Sequence, residues 1–206
     1  MTSWYEQHLF NPLMDRALRR PRVEALRRAL LSGARGEVVE VGIGTGLNLP
    51  HYPAHVRRLR VVQREERFDP RVLERANGRE LELVRGDAQA LPLESASVDT
   101  LVCTFVLCSV DAPDRALCEF ARVLRPEGVL LLAEHVRSPR GVELAVQRAL
   151  TPPHRLWACG CRLDRDLARP LAAAGFAPPT LASDSAARNV LPFPASELLS
   201  GSCRLR

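Results

Sequence analysis

The 206-residue sequence contains no lysine, and all 29 of its basic residues are arginine. Against 24 acidic residues they leave a formal charge of +5. Aromatic residues make up only 5% of the chain, and the arginines are scattered along it. A nucleic-acid surface needs the opposite, a clustered basic patch with interleaved aromatics, so no nucleic-acid partner is expected. No apolar run reaches the roughly 18 residues that a membrane-spanning helix requires. The six cysteines (Cys103, Cys108, Cys118, Cys159, Cys161 and Cys203) include no CxxC pair, and no secretory leader is read ahead of them. Reduced thiols in a cytoplasmic setting are therefore expected, with no disulfide scaffold and no structural metal. Repeats and low-complexity linkers are also missing, which leaves one domain over 1–206 as the expected organisation.

What the sequence does have is alternation. Short aliphatic runs at 37–41, 59–63, 81–84, 98–104 and 129–133 read as strands, with helices between them at 70–76 and 114–124. Pro126-Glu127-Gly128 reads as the turn that ends the second of these helices. Strands alternating with helices predict an α/β fold, a doubly wound and mostly parallel sheet with helices on both faces. Two further strands, over 180–183 and 198–205, should close it as a hairpin, giving seven strands with the last antiparallel. Residues 1–31 read as a helical cap divided or kinked by Pro12 and Pro21. Its arginines and Tyr5 also suit weak contact with a membrane surface. Residues 36–136 form the expected core, and 137–163, with a helix at 142–150, an insertion over the strand ends. A helix at 164–174, stopped by Gly175, precedes the hairpin.

The chemistry-bearing residues fall at strand ends. Glu40-Val41-Gly42-Ile43-Gly44-Thr45-Gly46 follows the first strand, and glycines there let the backbone approach a ligand that any Cβ would meet. A pyrophosphate-binding loop would space its third glycine one residue later. Glu40, two residues before the first glycine, repels a pyrophosphate but suits a ligand bearing an ammonium and a sulfonium. Gln63 ends the second strand, where an acid usually accepts from ribose hydroxyls. Asp87 and Ala88 end the third, where a carboxylate and a backbone N–H can read an adenine edge. Thr104, Phe105 and Cys108 leave the fourth strand, and His135 lies just past the fifth as a candidate general base.

Together these segments resemble the class I S-adenosylmethionine-dependent methyltransferases. The likeness is greatest to the methyltransferase-like 7 branch, the thiol S-methyltransferases, and its bacterial relatives. The resemblance runs over about 36–176 and is carried by Val38–Pro53, Val98–Val110, Arg122–Gly128 with Glu134-His135-Val136, and Gly160–Asp166. It implies a Rossmann-like methyltransferase fold and S-adenosyl-L-methionine as cofactor. Glu40, Gly42, Gly44, Gly46 and Asn48 would surround the methionine part, with Gln63 at the ribose. Asp87 and Ala88 would hold adenine, and Thr104 would lie beside the sulfonium. Phe105, Cys108 and Tyr5 are expected in the acceptor pocket, and a small molecule, most simply a thiol, is the expected acceptor. Methylation of a quinone or phospholipid-type acceptor, or a non-enzymatic role, remain the alternatives. Gln63 departs from the branch, which has an acid there. So does the start of the sequence, where the eukaryotic members carry a hydrophobic anchor and this one begins at an amphipathic helix.

Overall fold

The computed structural model describes residues 4–180, 191 and 194–206. Helix α1 (Asn11–Leu18) follows one π-type turn at Glu6–Phe10, and α2 (Pro21–Leu31) follows α1. Pro21 divides the cap as the sequence implies, opening α2 after the break at 19–20, where its missing N–H has no intrahelical partner to lose. Pro12 lies in the first turn of α1 within a helical run that continues directly from the π-type turn.

Six strands form one sheet among the described residues: β1 (Val38–Val41), β2 (Arg58–Gln63), β3 (Glu80–Arg85), β4 (Val98–Thr104), β5 (Leu124–His135) and β6 (Leu198–Cys203). Their order is β3-β2-β1-β4-β5-β6, parallel except for the antiparallel β5–β6 pair. Where the expected seventh strand begins, the described residues make hydrogen bonds along the outer edge of β6. Phe176 bridges Leu205, and the Thr180 N–H donates to the Ser202 carbonyl at 2.9 Å. The rest of that expected strand, 181–183, lies outside the described residues.

Period-two alternation puts a core on each face of the sheet. Val39, Val41, Leu101, Cys103, Leu130 and Leu132 pack with Leu117 and Phe120 of α4 (Pro113–Val123) and Leu171 of α6 (Ala168–Ala173). Val38, Val61, Val102, Val129 and Leu131 point the other way. They meet Val23, Leu26 and Leu30 of α2 and Val72 of α3 (Pro70–Arg75). This is the doubly wound architecture.

Three boundaries differ from the sequence reading. β5 begins at Leu124, so Pro126-Glu127-Gly128 is an excursion within the strand, where the pairing with β4 slips between Val98 and Thr100. Helix α5 runs from Gly141 to Trp157, through Pro152 and Pro153. The carbonyls those prolines leave without donors belong to Arg148 and Ala149, both exposed residues. Finally, α6 starts at Ala168, four residues beyond the expected helix start, because 164–167 is irregular.

Candidate functional site

All parallel strands end at one edge of the sheet, and there β1 turns into the glycine loop. Gly44 has a left-handed backbone (φ 55°), and a Cβ on it would meet nothing within 4 Å, because the loop borders open space at that point. Gly46 (φ 81°) is a glycine for a different reason. A Cβ there would come within 3.1 Å of the Val72 Cα, so this position lets α3 pack against the loop.

A cavity of ≈ 400 Å³ opens above the loop. Gly42, Gly44, Asn48, Thr104, Phe105, Cys108 and His135 line it from the sheet edge. Arg27 of α2, Met14 and Leu18 of α1, and His154, Trp157 and Cys161 from the 137–163 segment close the other sides. The lining leaves out Glu40, Gly46, Gln63, Asp87, Ala88 and Tyr5. Tyr5 reaches it indirectly, donating its hydroxyl to the Trp157 carbonyl at 2.6 Å.

The floor of the cavity is a buried polar network. Glu40 is 1% exposed and accepts from the Tyr52 hydroxyl at 2.7 Å and the Asn48 amide at 2.9 Å. The same amide donates to Thr104 Oγ1 at 3.0 Å, and the Asn48 oxygen accepts from the Arg27 guanidinium. Burial pushes the Glu40 carboxyl up to about 7, against the opposing pull of those two donors and of the Arg27 charge. Burial likewise lowers Arg27 to about 10, although the carboxylate of Glu40 holds it up. Arg27 stacks over the Phe105 ring at 5.4 Å, and its buried Nε has no hydrogen-bond partner among the described residues.

The raised carboxyl has a sign that can be measured. Unfolded Glu40 ionises near 4.5, whereas the folded chain keeps the proton until about 7. Its contribution is therefore full below 4.5 and is lost as pH rises through about 7, on the order of 3 kcal/mol. Glu40→Gln removes that slope. Melting curves should show the variant gaining on the parent between about pH 5 and pH 8. Parallel melting temperatures across that window would contradict the assignment.

Two carboxylates hold the elements around the cavity. Asp15 of α1 accepts from Thr45 of the glycine loop at 2.7 Å and from Arg75 of α3 at 2.6 and 3.0 Å, which fastens the helical cap down. Glu134, at the end of β5, is fully buried. It accepts the backbone N–H groups of Val106, Leu107 and Cys108 at 2.6, 3.0 and 3.2 Å. That carboxylate shapes the turn on which Phe105 takes a left-handed backbone (φ 57°) and Cys108 faces the cavity.

At the neighbouring strand ends, the Gln63 amide is turned onto its own loop, donating to the Arg67 carbonyl at 2.9 Å. Asp87 caps a tight turn, accepting from the Gln89 backbone at 2.8 Å and side chain at 3.1 Å. Partial burial works to raise its pKa, but the Gln89 donors and the Arg64 charge outweigh it, so the carboxyl lies below its ordinary value. His135 does not stand alone as a free base, because its Nε2 lies 2.8 Å from the Cys161 Sγ.

The sequence reading missed Arg27, Asp15, Tyr52, Glu134 and Cys161 as members of the site. Arg27 looks like one more charge on an arginine-rich helix, and only its 5% exposure sets it apart. Glu134 was visible as an acid among aliphatics, which is the one local signal of a carboxylate with a buried task.

The family model for the methyltransferase domain matches residues 39–132. Thiol S-methyltransferase TMT1B of Rattus norvegicus is 35% identical over 154 residues, 71% of this chain and 63% of that protein. The phosphatidylethanolamine N-methyltransferase of Cereibacter sphaeroides is 34% identical over 119 residues, 56% of this chain and 58% of that one. The chain thus spans less than two thirds of these relatives' length. Among solved structures, an S-adenosylmethionine-dependent methyltransferase from Mesorhizobium loti shares the fold, with a TM-score of 0.61 at 18% identity over 90% of this chain and 98% of that one. The chain belongs to the class I S-adenosylmethionine-dependent methyltransferases.

The cofactor of this class is S-adenosylmethionine, and the cavity of this methyltransferase fits it on two counts. Gly44 leaves room where any side chain would intrude, and the unpaired Nε of Arg27 is a buried donor with capacity for a carboxylate. Arg27, Asn48 and the glycine loop would hold the methionine part. Asp87 and the Oε1 of Gln63 lie at the neighbouring strand ends, outside the cavity's lining, and would serve adenine and ribose of a cofactor that extends past it.

Proposed function

We propose that this chain transfers a methyl group from S-adenosylmethionine to a small thiol. One observation carries the reading. A single cavity joins the glycine loop, at Gly42 and Gly44, to Thr104, Phe105, Cys108 and His135 beyond it, so cofactor and acceptor can meet in one space. The sulfonium supplies an already electrophilic methyl group, and the protein's own work is alignment and exclusion of water. Arg27 and Asn48 orient from below, while Phe105 and Leu163 present apolar surface that keeps water from the reacting centre. The chain offers no Ser-His-Asp arrangement around the cavity among the described residues, and a thiol acceptor needs little beyond proton removal. The 35% identity to a thiol S-methyltransferase supports sulfur as the accepting atom.

Methylation of an amine on a phospholipid head group is the second reading, supported by the 34% identity to the Cereibacter enzyme. Mass spectrometry of products from a panel of alkyl thiols, ethanolamine lipids and quinones separates the two. A thioether product is expected, and methyl found only on nitrogen or carbon would replace the thiol reading.

Contact with a membrane surface is part of the proposal for the N-terminal segment. Trp4, Leu9 and Leu13 are more than half exposed there, and Leu156 and Trp157 of α5 are also exposed. Flotation with anionic vesicles at low salt should carry the protein upward. Protein that stays at the bottom of the gradient would remove this part of the reading.

A further inference from the structure

Three soft or borderline ligand atoms converge on the acceptor side of the cavity. Cys108 lies on the turn after β4, His135 at the end of β5, and Cys161 on the loop after α5. The two Sγ atoms are 3.6 Å apart, the His135 Nε2 is 2.8 Å from the Cys161 Sγ, and all three ligand atoms lie within 4.8 Å of one another. In a tetrahedral zinc site, Zn–S bonds of about 2.3 Å and a Zn–N bond of about 2.0 Å put ligands roughly 3.5–3.8 Å apart. The sulfur pair already has that separation. The imidazole would need to withdraw by under about 1 Å. Its Nδ1 is buried without a partner among the described residues, so no hydrogen bond holds the ring on that side.

The scaffold is prepared for this convergence. The Arg162 N–H donates to the Cys108 carbonyl at 3.0 Å, and the Arg165 guanidinium donates to the Val110 carbonyl at 2.6 Å, joining the two cysteine loops. Glu134 fixes the Cys108 turn through three backbone N–H groups. Cys108 and His135 are buried, Cys161 partly so, and all three residues line the cavity.

We propose that Cys108, His135 and Cys161 bind one zinc ion, leaving its fourth position open to the cavity for the acceptor. Two thiolates and one imidazole with a vacant fourth site are the ligand pattern of catalytic rather than structural zinc. An entering thiol would displace the zinc-bound water, bind as thiolate, and release its proton to solvent. Coordination would raise the fraction of acceptor present as thiolate at neutral pH. This extends the thiol reading above, because an amine or carbon acceptor gains nothing comparable from a zinc ion.

Metal titration of the reduced, metal-free protein against a chromophoric chelator tests the site without reference to activity. One zinc per chain is expected, and cobalt in its place should show thiolate-to-metal charge-transfer absorption. Cys161→Ser is nearly isosteric and partly exposed, so it should fold as the parent does by circular dichroism. Its zinc affinity should fall by more than the roughly 10–100-fold that losing an outer partner costs. Cys108→Ser provides the second variant and should lose the cobalt band as well. Equal zinc uptake by the parent and both variants, or none by the parent, overturns the site. The thiol reading fails separately. Zinc bound as described with no thioether formed would sink the acceptor assignment and leave the metal site standing. Thiol methylation undiminished in chelated, metal-free protein would overturn zinc's role in binding the acceptor and leave the acceptor assignment standing.

Discussion

Replacing Gly44 by leucine should lower affinity for S-adenosylmethionine at least about 100-fold while costing the fold only about 1–2 kcal/mol. The position separates the two effects unusually well. Its Cβ would point into open cavity with nothing within 4 Å, so no neighbour in the protein has to move. The cost to folding is the left-handed backbone at φ 55°, about 1–2 kcal/mol for a residue with a side chain. The cost to binding is larger, because the side chain fills space that the cofactor requires. A loss of about 3 kcal/mol in binding corresponds to roughly 100-fold in affinity. Calorimetric titration alongside a denaturant melt measures both. Unchanged affinity would mean that the cofactor does not lie over this loop.

Glu134→Leu should have the largest effect on stability. The substitution preserves volume but leaves the N–H groups of Val106, Leu107 and Cys108 without their acceptor in the interior. Each orphaned donor costs about 1–3 kcal/mol, so the three together predict a loss on the order of 3–9 kcal/mol. Glu134→Gln keeps one acceptor oxygen and should fall between the parent and the leucine variant. The turn at 105–108 also carries two cavity-lining residues, so cofactor affinity should drop along with stability. Urea denaturation at constant slope is the measurement. A loss below about 1 kcal/mol would show that the turn stands without the carboxylate.

Much of this architecture was legible in the order of residues, and the reasons are local. β4 could be read to the residue because its apolar residues Val98, Leu101, Val102 and Cys103 run up to the small polar Thr104. The glycine loop was legible because backbone freedom leaves a compositional mark. Distance in the chain hid the rest. Arg27 and Asn48 are 21 residues apart and Cys108 and Cys161 are 53 apart, so only the assembled fold brings each pair together. The boundaries of β5 and α5 were missed because proline and glycine signal a break, and here a strand excursion and exposed carbonyls absorb it. Gln63 reads from sequence as a lost acid. In the structure its amide also clasps the 64–67 turn through the Arg67 carbonyl, a bond that a carboxylate could not make.

The central claim is that the cavity beside the glycine loop is an S-adenosylmethionine site that opens onto an acceptor. Titration calorimetry of the purified chain with S-adenosylmethionine tests it most directly. One saturable site per chain is the result the account predicts, weakened at least about 100-fold in Gly44→Leu and less so in Arg27→Ala. No detectable binding at millimolar cofactor to correctly folded protein would contradict it.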